Sequence, residues 1–362
     1  SARPRVRERA IVTGGRSHVD GRHGPAAVPP SPEGLDALAP ATGPATADRP
    51  AGRAALPPAD AAAFDGPRFA EAIARAWWSG GGGARTDIPL GIVATLALWP
   101  IKTDGAGHAP ALAAFITRQP AARWPATVRQ VAAWHWVRRP DLMETALPLL
   151  SWAEEEHLAA TVGAAKAVAD AALRSGILGA TGHRDPYLRS RVDVMFWALN
   201  GLRHSAERAP RGEYQTPAHI GDLIARMLTG SAPAADRTVG ELAAGTGGLV
   251  RAAAQAMREQ GEDPHQHTWH LQELDPLAAA AAAVNALVWD LGPGATVTCS
   301  DTLRAGDRHA AALDSQRSAA GRRDRVLASV RTIAAQESAL RHLGRSTTAH
   351  HQPRVAQALN VL

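Results

Sequence analysis

Residues 241–248, Glu-Leu-Ala-Ala-Gly-Thr-Gly-Gly, constrain the fold of this chain more than any other stretch. They read as a glycine turn behind an acid, between a short strand at 237–242 and a helix at 247–260. Glycines at such a turn allow left-handed backbone, and the helix that follows offers unpaired N–H groups to a ligand. A Gly-x-Gly alone is a weak signal in a chain with 33 glycines. The order downstream gives it weight. A second strand at 268–273 ends in Glu273, an alanine-rich helix spans 276–290, and a third strand at 295–299 leads into Asp301. Strand–helix–strand–helix–strand is the βαβαβ unit of an open parallel sheet, and ligands of such sheets sit beyond the carboxyl ends of the strands.

The rest of the chain divides by composition. Residues 1–64 are rich in Ala, Pro, Gly and Arg, with Pro-Pro-Ser-Pro at 29–32 and Pro-Pro at 57–58, and are expected to be a disordered leader. Residues 65–205 are expected to form a helical domain. Phe69, Ile73, Ala74 and Trp77 share a face that the glycine run 80–83 terminates, and 88–99 reads as a buried helix. Further helices are expected at 126–137, 140–149, 152–174 and 187–203. Eight of the ten tryptophans lie between 77 and 197, where that spacing predicts core packing. A helix over 217–228 follows, with Thr216 as its cap and Pro217 in its first turn. The α/β segment is placed at 206–309 and a basic helical tail at 310–362.

Composition excludes several function classes. No run of 18 apolar residues occurs, so a membrane span is not expected, and no apolar signal region follows the N-terminal arginines. The single cysteine, Cys299, rules out an intramolecular disulfide framework and fits a reducing cytoplasm; its apolar neighbours predict a packed thiol. Lysine occurs only at 102 and 166, so the arginine content reflects compositional bias more than nucleic-acid binding. The distribution is more telling: residues 302–362 carry ten arginines against four acids, which leaves the remainder near neutrality. A basic tail attracts polyanions.

Three acids stand around the turn. Gly245 and Gly247 permit close backbone approach. Glu273 can accept both hydroxyls of a ribose, Asp301 an exocyclic amine of adenine, and Glu241 the amides of the turn or a ligand ammonium group. Such acids suit a cationic adenosine better than a pyrophosphate, and Gly-x-Gly-x-x-Gly is incomplete.

With these residues in place, the segment resembles a known family. Glu241 to Gly248 looks like the Asp-Pro-Ala-Cys-Gly-Thr-Gly-Gly motif of S-adenosylmethionine-dependent DNA adenine-N6 methyltransferases, and the chain resembles the modification (methylase) subunits of type I restriction–modification systems. Upstream, Gly212-Glu-Tyr-Gln-Thr-Pro217 is similar to that family's Gly-Glu-Phe-Tyr-Thr-Pro segment. The resemblance implies that Tyr214, Thr216 and Pro217 lie at the methionine end of the cofactor. Downstream, Gln272-Glu-Leu-Asp-Pro276 is similar to Gln-Glu-Ile-Asn-Pro, and Ser300-Asp-Thr-Leu303 to Gly-Asp-Thr-Leu. These imply a ribose contact for Glu273 and an adenine contact for Asp301, with Glu241, Gly245, Thr246 and Gly247 completing the set. The fold implied is mainly α with a partial α/β domain: a helical N-terminal domain, a truncated Rossmann-like (βαβαβ) S-adenosylmethionine-binding domain and a basic C-terminal helix.

Two departures accompany the resemblance. Glu241 replaces an aspartate, and Ala243-Ala244 stands where Ala-Cys is usual. The family's target-base motif, Asn-Pro-Pro-Tyr or -Phe, is absent: after Asp301 the only proline is Pro353, and no aromatic residue follows Trp289. That motif holds the extruded adenine. No catalytic residue is therefore assigned and no metal is expected. His265, His267 and His270 read as a loop entering a strand rather than a zinc site, and no phosphate-loop motif occurs. Glu154–His157 reads as a helix N-terminal turn. Arg317, Arg322, Arg323 and Arg325 read as a solvated face, and His350–His351 as a solvated tail. The expected function is a DNA adenine-N6 methyltransferase-like protein of a restriction–modification or phage-defence system, inactive alone. Its expected partners are DNA and specificity or restriction subunits. The alternatives are a non-catalytic cofactor-sensing or DNA-binding scaffold subunit, or a methylase of small molecules or proteins.

Overall fold

The structure, a computed structural model, describes residues 64–103, 108–203, 216–229, 237–303 and 308–349. The expected leader, apart from Phe64, lies outside the described residues, as do Tyr214, His350 and His351.

From Asp65 to Arg203 the elements are helical, apart from one bridge between Thr103 and His183. Helix α1 (Gly66–Ser79) starts where Asp65 accepts the Arg68 amide, 3.0 Å away, and buries the stripe Phe69, Ile73 and Trp77. It ends at Gly80, and the Trp77 indole donates to the Gly83 carbonyl at 3.0 Å. Helix α2 (Asp87–Ala97) is buried on every side from Ile88 onward. Gly91 makes that possible, because a Cβ there would stand 1.9 Å from the Leu149 carbonyl oxygen. Helices α3 (His108–Thr117), α4 (Trp124–Trp136), α5 (Pro140–Thr145), α6 (Ala159–Arg174) and α7 (Val194–Leu202) follow.

Three expected helices are shorter than their periodicity suggests, each for a local reason. The 140–149 helix stops at Thr145 and resumes as a turn at Leu147–Leu150, where Pro148 cannot continue the hydrogen-bond ladder. The 152–174 helix begins at Ala159. Ser151–Glu154 is a 3-10 turn, and Glu155 becomes extended to reach Arg85 at 2.8 Å. Glu154–His157 is therefore not the first turn of that helix. The 187–203 helix is interrupted after Arg189, and α7 restarts at Val194 because Asp193 caps it, accepting the Phe196 amide at 2.8 Å.

The second part contains α8 (Ala218–Thr229), β1 (Thr238–Glu241), α9 (Gly248–Glu259), β2 (Thr268–Glu273), α10 (Pro276–Val288), β3 (Ala295–Cys299) and α11 (Arg308–Ala349). The strands form a parallel sheet in the order β1-β2-β3, with Thr238 opposite Thr268 and Trp269 opposite Ala295. Helix α10 lies between the sheet and helices α2, α5 and α7. Its alanines from 278 to 283 are each no more than 5% exposed, and their small size lets sheet and helices close on it from both sides. One continuous apolar core runs from Phe69 through α10 to Val297.

The two edges of the sheet differ. Backbone direction alternates along a strand, and since the Trp269 amide donates to Gly294, the groups of Ala295 and Val297 face away from β2. Both carbonyls are taken by side chains at the two ends of α5: Arg139, just before the helix, donates to Ala295, and the Thr145 hydroxyl to Val297 at 3.0 Å. At β1 the Thr268 amide donates to Arg237, so Thr238 and Gly240 face outward. Among the described residues no hydrogen bond covers them. A cavity of about 440 Å³ runs along this edge between β1, α8 and α9.

Helix α11 packs its first turns on β3 and α5, where Arg322 pairs with Glu144 and Gln316 donates to the Pro293 carbonyl at 3.0 Å. Arg317 pairs with Asp314 and Arg323 with Asp324, and from Val326 to His342 the helix is largely exposed. None of the described helices is long and apolar enough to cross a membrane.

Candidate functional site

The glycine turn is built from both ends. Gly245 has φ +54° and Gly247 φ +97°, a region that L side chains rarely adopt. Gly247 has a second constraint, since a Cβ there would lie 3.1 Å from the Trp289 ring that forms the floor of the turn. The Ala244 amide donates to the Gln272 carbonyl at 2.9 Å, and the Gly247 amide to Ala244 at 2.7 Å. The turn is thus hung from the end of β2 before α9 begins.

Glu273 does more than wait for a ligand. Its Oε2 accepts the Gly245 amide at 2.7 Å, and its Oε1 accepts Leu274 at 2.8 Å and Asp275 at 2.9 Å. The last residue of β2 therefore fixes the direction of the turn after β1. Glu241 accepts the Ala243 amide at 3.2 Å and Asp301 the Leu303 amide at 3.0 Å, each within its own loop. All three acids keep part of their surface in solvent.

Thr246 points the other way. It is 6% exposed, and its hydroxyl donates to buried Asp193 at 2.6 Å, so its side chain belongs to the core. Thr216 and Pro217 precede α8 and are exposed. Helix α8 runs parallel to α9, because Gly221 meets Leu249, Ala225 packs with Ala252 and Ala256, and Thr229 bonds Gln260 at 3.2 Å. Thr216 is accordingly at the same end of the molecule as the glycine turn. The structure brings together Gly245, Thr246, Gly247 and Glu273, with Glu241 and Asp301 on the flanking strand ends.

Other residues at this end carry no sequence signal beyond their place after the acids. Leu242, Leu274 and Leu303 follow the three strands and are 64%, 68% and 95% exposed. They give the polar crevice an apolar rim. Cys299, expected to be packed, is exposed at the end of β3 opposite Glu273. Partial burial, with Asp275 and Glu273 close by, pushes its thiol above the ordinary range. Cys299 shares a strand face with buried Ala295 and Val297 but lies past the end of the core. The three histidines find separate partners: His265 pairs with Asp290, His267 with buried Glu262, and His270 with Thr296.

The crevice is open rather than enclosed. The 440 Å³ cavity touches Glu241 but is lined neither by Gly245 nor by Glu273 or Asp301, and a polar cavity of about 200 Å³ lies among Tyr187, Asp222 and Glu259. Chemically, the strand ends offer two glycine-freed amide positions, three carboxylates and an apolar rim. That set can hold a ligand with hydroxyls, an amine and a flat apolar part, and it contains no general base poised over a nucleophile.

Residues 198–319 match the family model described as N-6 DNA Methylase. The match covers every residue of the crevice just described and begins within α7. No curated protein and no solved structure matches the chain.

Proposed function

We propose, on the premise that residues 198–319 belong to the N-6 DNA methylase family, that the carboxyl ends of β1 to β3 bind S-adenosylmethionine. One observation carries the reading: the Gly245 amide is bonded to Glu273, so the turn and the acid of the next strand form one unit. The donor set suits this cofactor, which supplies an activated methyl group on a cationic sulfur. Glu273 already accepts three amides, and a carboxylate has about four lone-pair sites. It is therefore suited to one ribose hydroxyl rather than two. Asp301 faces the exocyclic amine, Leu274 and Leu303 flank the adenine, and Glu241 answers the ligand's positive charge. Tyr214, Thr216 and Pro217 serve the methionine end. Thr246 acts from beneath the turn.

The protein is a DNA adenine-N6 methyltransferase-like chain that holds the cofactor without transferring its methyl group alone. The residues that would hold an extruded adenine are absent from these 362 residues. An Asn-Pro-Pro-aromatic segment outside these 362 residues would supply them on DNA, in a cytoplasmic restriction–modification or phage-defence assembly with specificity or restriction subunits, as the resemblance to type I modification subunits suggests. Isothermal titration with S-adenosylmethionine tests the site; absence of binding, or binding unchanged in Glu273→Ala, sinks it. Transfer of tritiated methyl to unmethylated DNA by the purified chain would overturn the inactivity. A scaffold subunit, the competing reading, would bind cofactor yet fail to support transfer with any added partner.

A further inference from the structure

We propose that Asp193 is the positioning residue of the glycine turn, holding Thr246 from the helical side so that the Gly245 and Gly247 amides keep the direction a ligand needs. The inference rests on the reading of 245–247 as a ligand turn. Asp193 lies 53 residues upstream of the turn it touches, immediately before α7. Its Oδ2 accepts the Thr246 hydroxyl at 2.6 Å, while its Oδ1 accepts the Phe196 amide and the Asn285 side-chain amide, each at 2.8 Å. Asn285, from the middle of α10, closes the loop by donating also to the Thr246 carbonyl at 2.8 Å. Thr246 is thereby held at both its side chain and its backbone.

Burial makes this arrangement sensitive to small changes. Asp193, Thr246 and Asn285 are 9%, 6% and 2% exposed. An acceptor removed from such a place leaves the facing donor unpaired, and that penalty exceeds the value of the bond itself. Burial also pushes the Asp193 carboxyl above its ordinary range, while its three donors and Arg251 pull it down. Arg251, from the first turns of α9, donates to the Ser190 carbonyl at 3.1 Å and pairs with Asp222 of α8 at 2.6 Å. The helical part thus grips both the turn and the helix it starts. Asp193 touches no ligand position, so its role is to set the turn.

The sequence change that separates positioning from capping is Asp193→Asn. Asparagine keeps an oxygen for Phe196 and Asn285, but its nitrogen can only donate toward Thr246, so the hydroxyl must turn to accept and its proton loses the buried acceptor. Expected are a melting temperature lowered by a few degrees, a Kd for S-adenosylmethionine raised at least tenfold, and faster amide exchange at 244–248 in the free protein. Asp185→Ala removes the comparable cap at Tyr187 and is expected to change neither affinity nor exchange. Unchanged affinity and unchanged exchange in Asp193→Asn overturn the proposal. If the wild-type chain binds no S-adenosylmethionine, the cofactor reading fails, and the exchange of the free turn alone still decides the role of Asp193. If Asp193→Asn does not fold, Thr246→Val takes its place. It removes the hydroxyl that Asp193 accepts and keeps the bonds of Asp193 to Phe196 and Asn285, and native exchange at 244–248 in that variant overturns the proposal too.

Discussion

At the scale of single residues, the two glycines of the turn make different demands. A Cβ at Gly245 would meet nothing within 4 Å, whereas one at Gly247 would press on Trp289. Gly245→Ala is expected to cost about 1 kcal/mol for its left-handed backbone alone. Gly247→Ala should cost about 2–3 kcal/mol, because the same strain is joined by a clash that a fully buried indole cannot relieve. Urea unfolding midpoints check the order; equal costs would mean that Trp289 is not the floor of the turn. Cys299 gives a second readout. Its exposed thiol stands opposite Glu273, so iodoacetamide should modify it severalfold more slowly at saturating S-adenosylmethionine. Glu273→Gln should speed the modification without cofactor, since it removes one of the charges that hold the thiol protonated. An alkylation rate indifferent to cofactor would place the ligand elsewhere. Little of this was legible beforehand. The inward turn of Thr246 depends on an acid from a distant helix, and the exposure of Cys299 depends on where β3 stops.

At the scale of elements, the α/β segment was the most legible part of the chain. All three strands and their crossover helices fall where apolar runs, glycines and acids mark them, since a parallel βαβ unit writes its punctuation locally. Helix ends were less legible. Pro148, Asp193 and the extended Glu155 interrupt helices whose apolar periodicity continues across the break. Periodicity reports which face is buried, and a cap or a proline decides where the ladder ends. Helix α10 shows what periodicity misses when a helix is buried all round. Its alanines face the sheet on one side and helices on the other, so no polar stripe remains. Ala280→Leu, at a position with no exposed surface, is expected to lose roughly 1–3 kcal/mol by overpacking. Ala334→Leu on the exposed part of α11 should change stability by less than about 0.5 kcal/mol. Similar losses at both places, measured by denaturant unfolding, would contradict the sandwiched position of α10.

At the scale of the whole molecule, two groups in the helical part give its stability a defined pH dependence. The His135 ring bonds the Leu98 carbonyl, and burial lowers its pKa to about 4, helped by Lys102 and Arg138 against the effect of that bond. Unfolding frees the ring to titrate at its ordinary value, about 6.5. Its contribution is therefore intact above that value and is lost as pH falls toward 4. Lys102 donates to the Ala97 and Thr181 carbonyls, and burial, with Arg189 nearby, lowers it to about 7. An unfolded lysine titrates near 10.4, so the unfolded chain binds this proton first as pH falls. The resulting penalty is complete below about pH 7 and is relieved as pH rises from there toward 10. Lys102→Met should flatten the alkaline part of the melting-temperature profile, and His135→Gln the acid part. A wild-type slope that survives both substitutions would trace the pH dependence to other groups.

The sheet, finally, is closed on one flank and, among the described residues, open on the other. Arg139 and Thr145 cap the carbonyls of β3, while the outward groups of Thr238 and Gly240 of β1 find no hydrogen-bond partner among the described residues. Growth by strand addition therefore has a direction and an end. Whatever joins at β1 terminates the sheet unless it carries a free flank of its own, and two copies meeting there would exhaust each other. Chains at high concentration should stop at pairs rather than form ladders, which light scattering after size exclusion will show. Removing the caps with Arg139→Ala and Thr145→Val would give each molecule two sticky flanks, and only then should filaments lengthen.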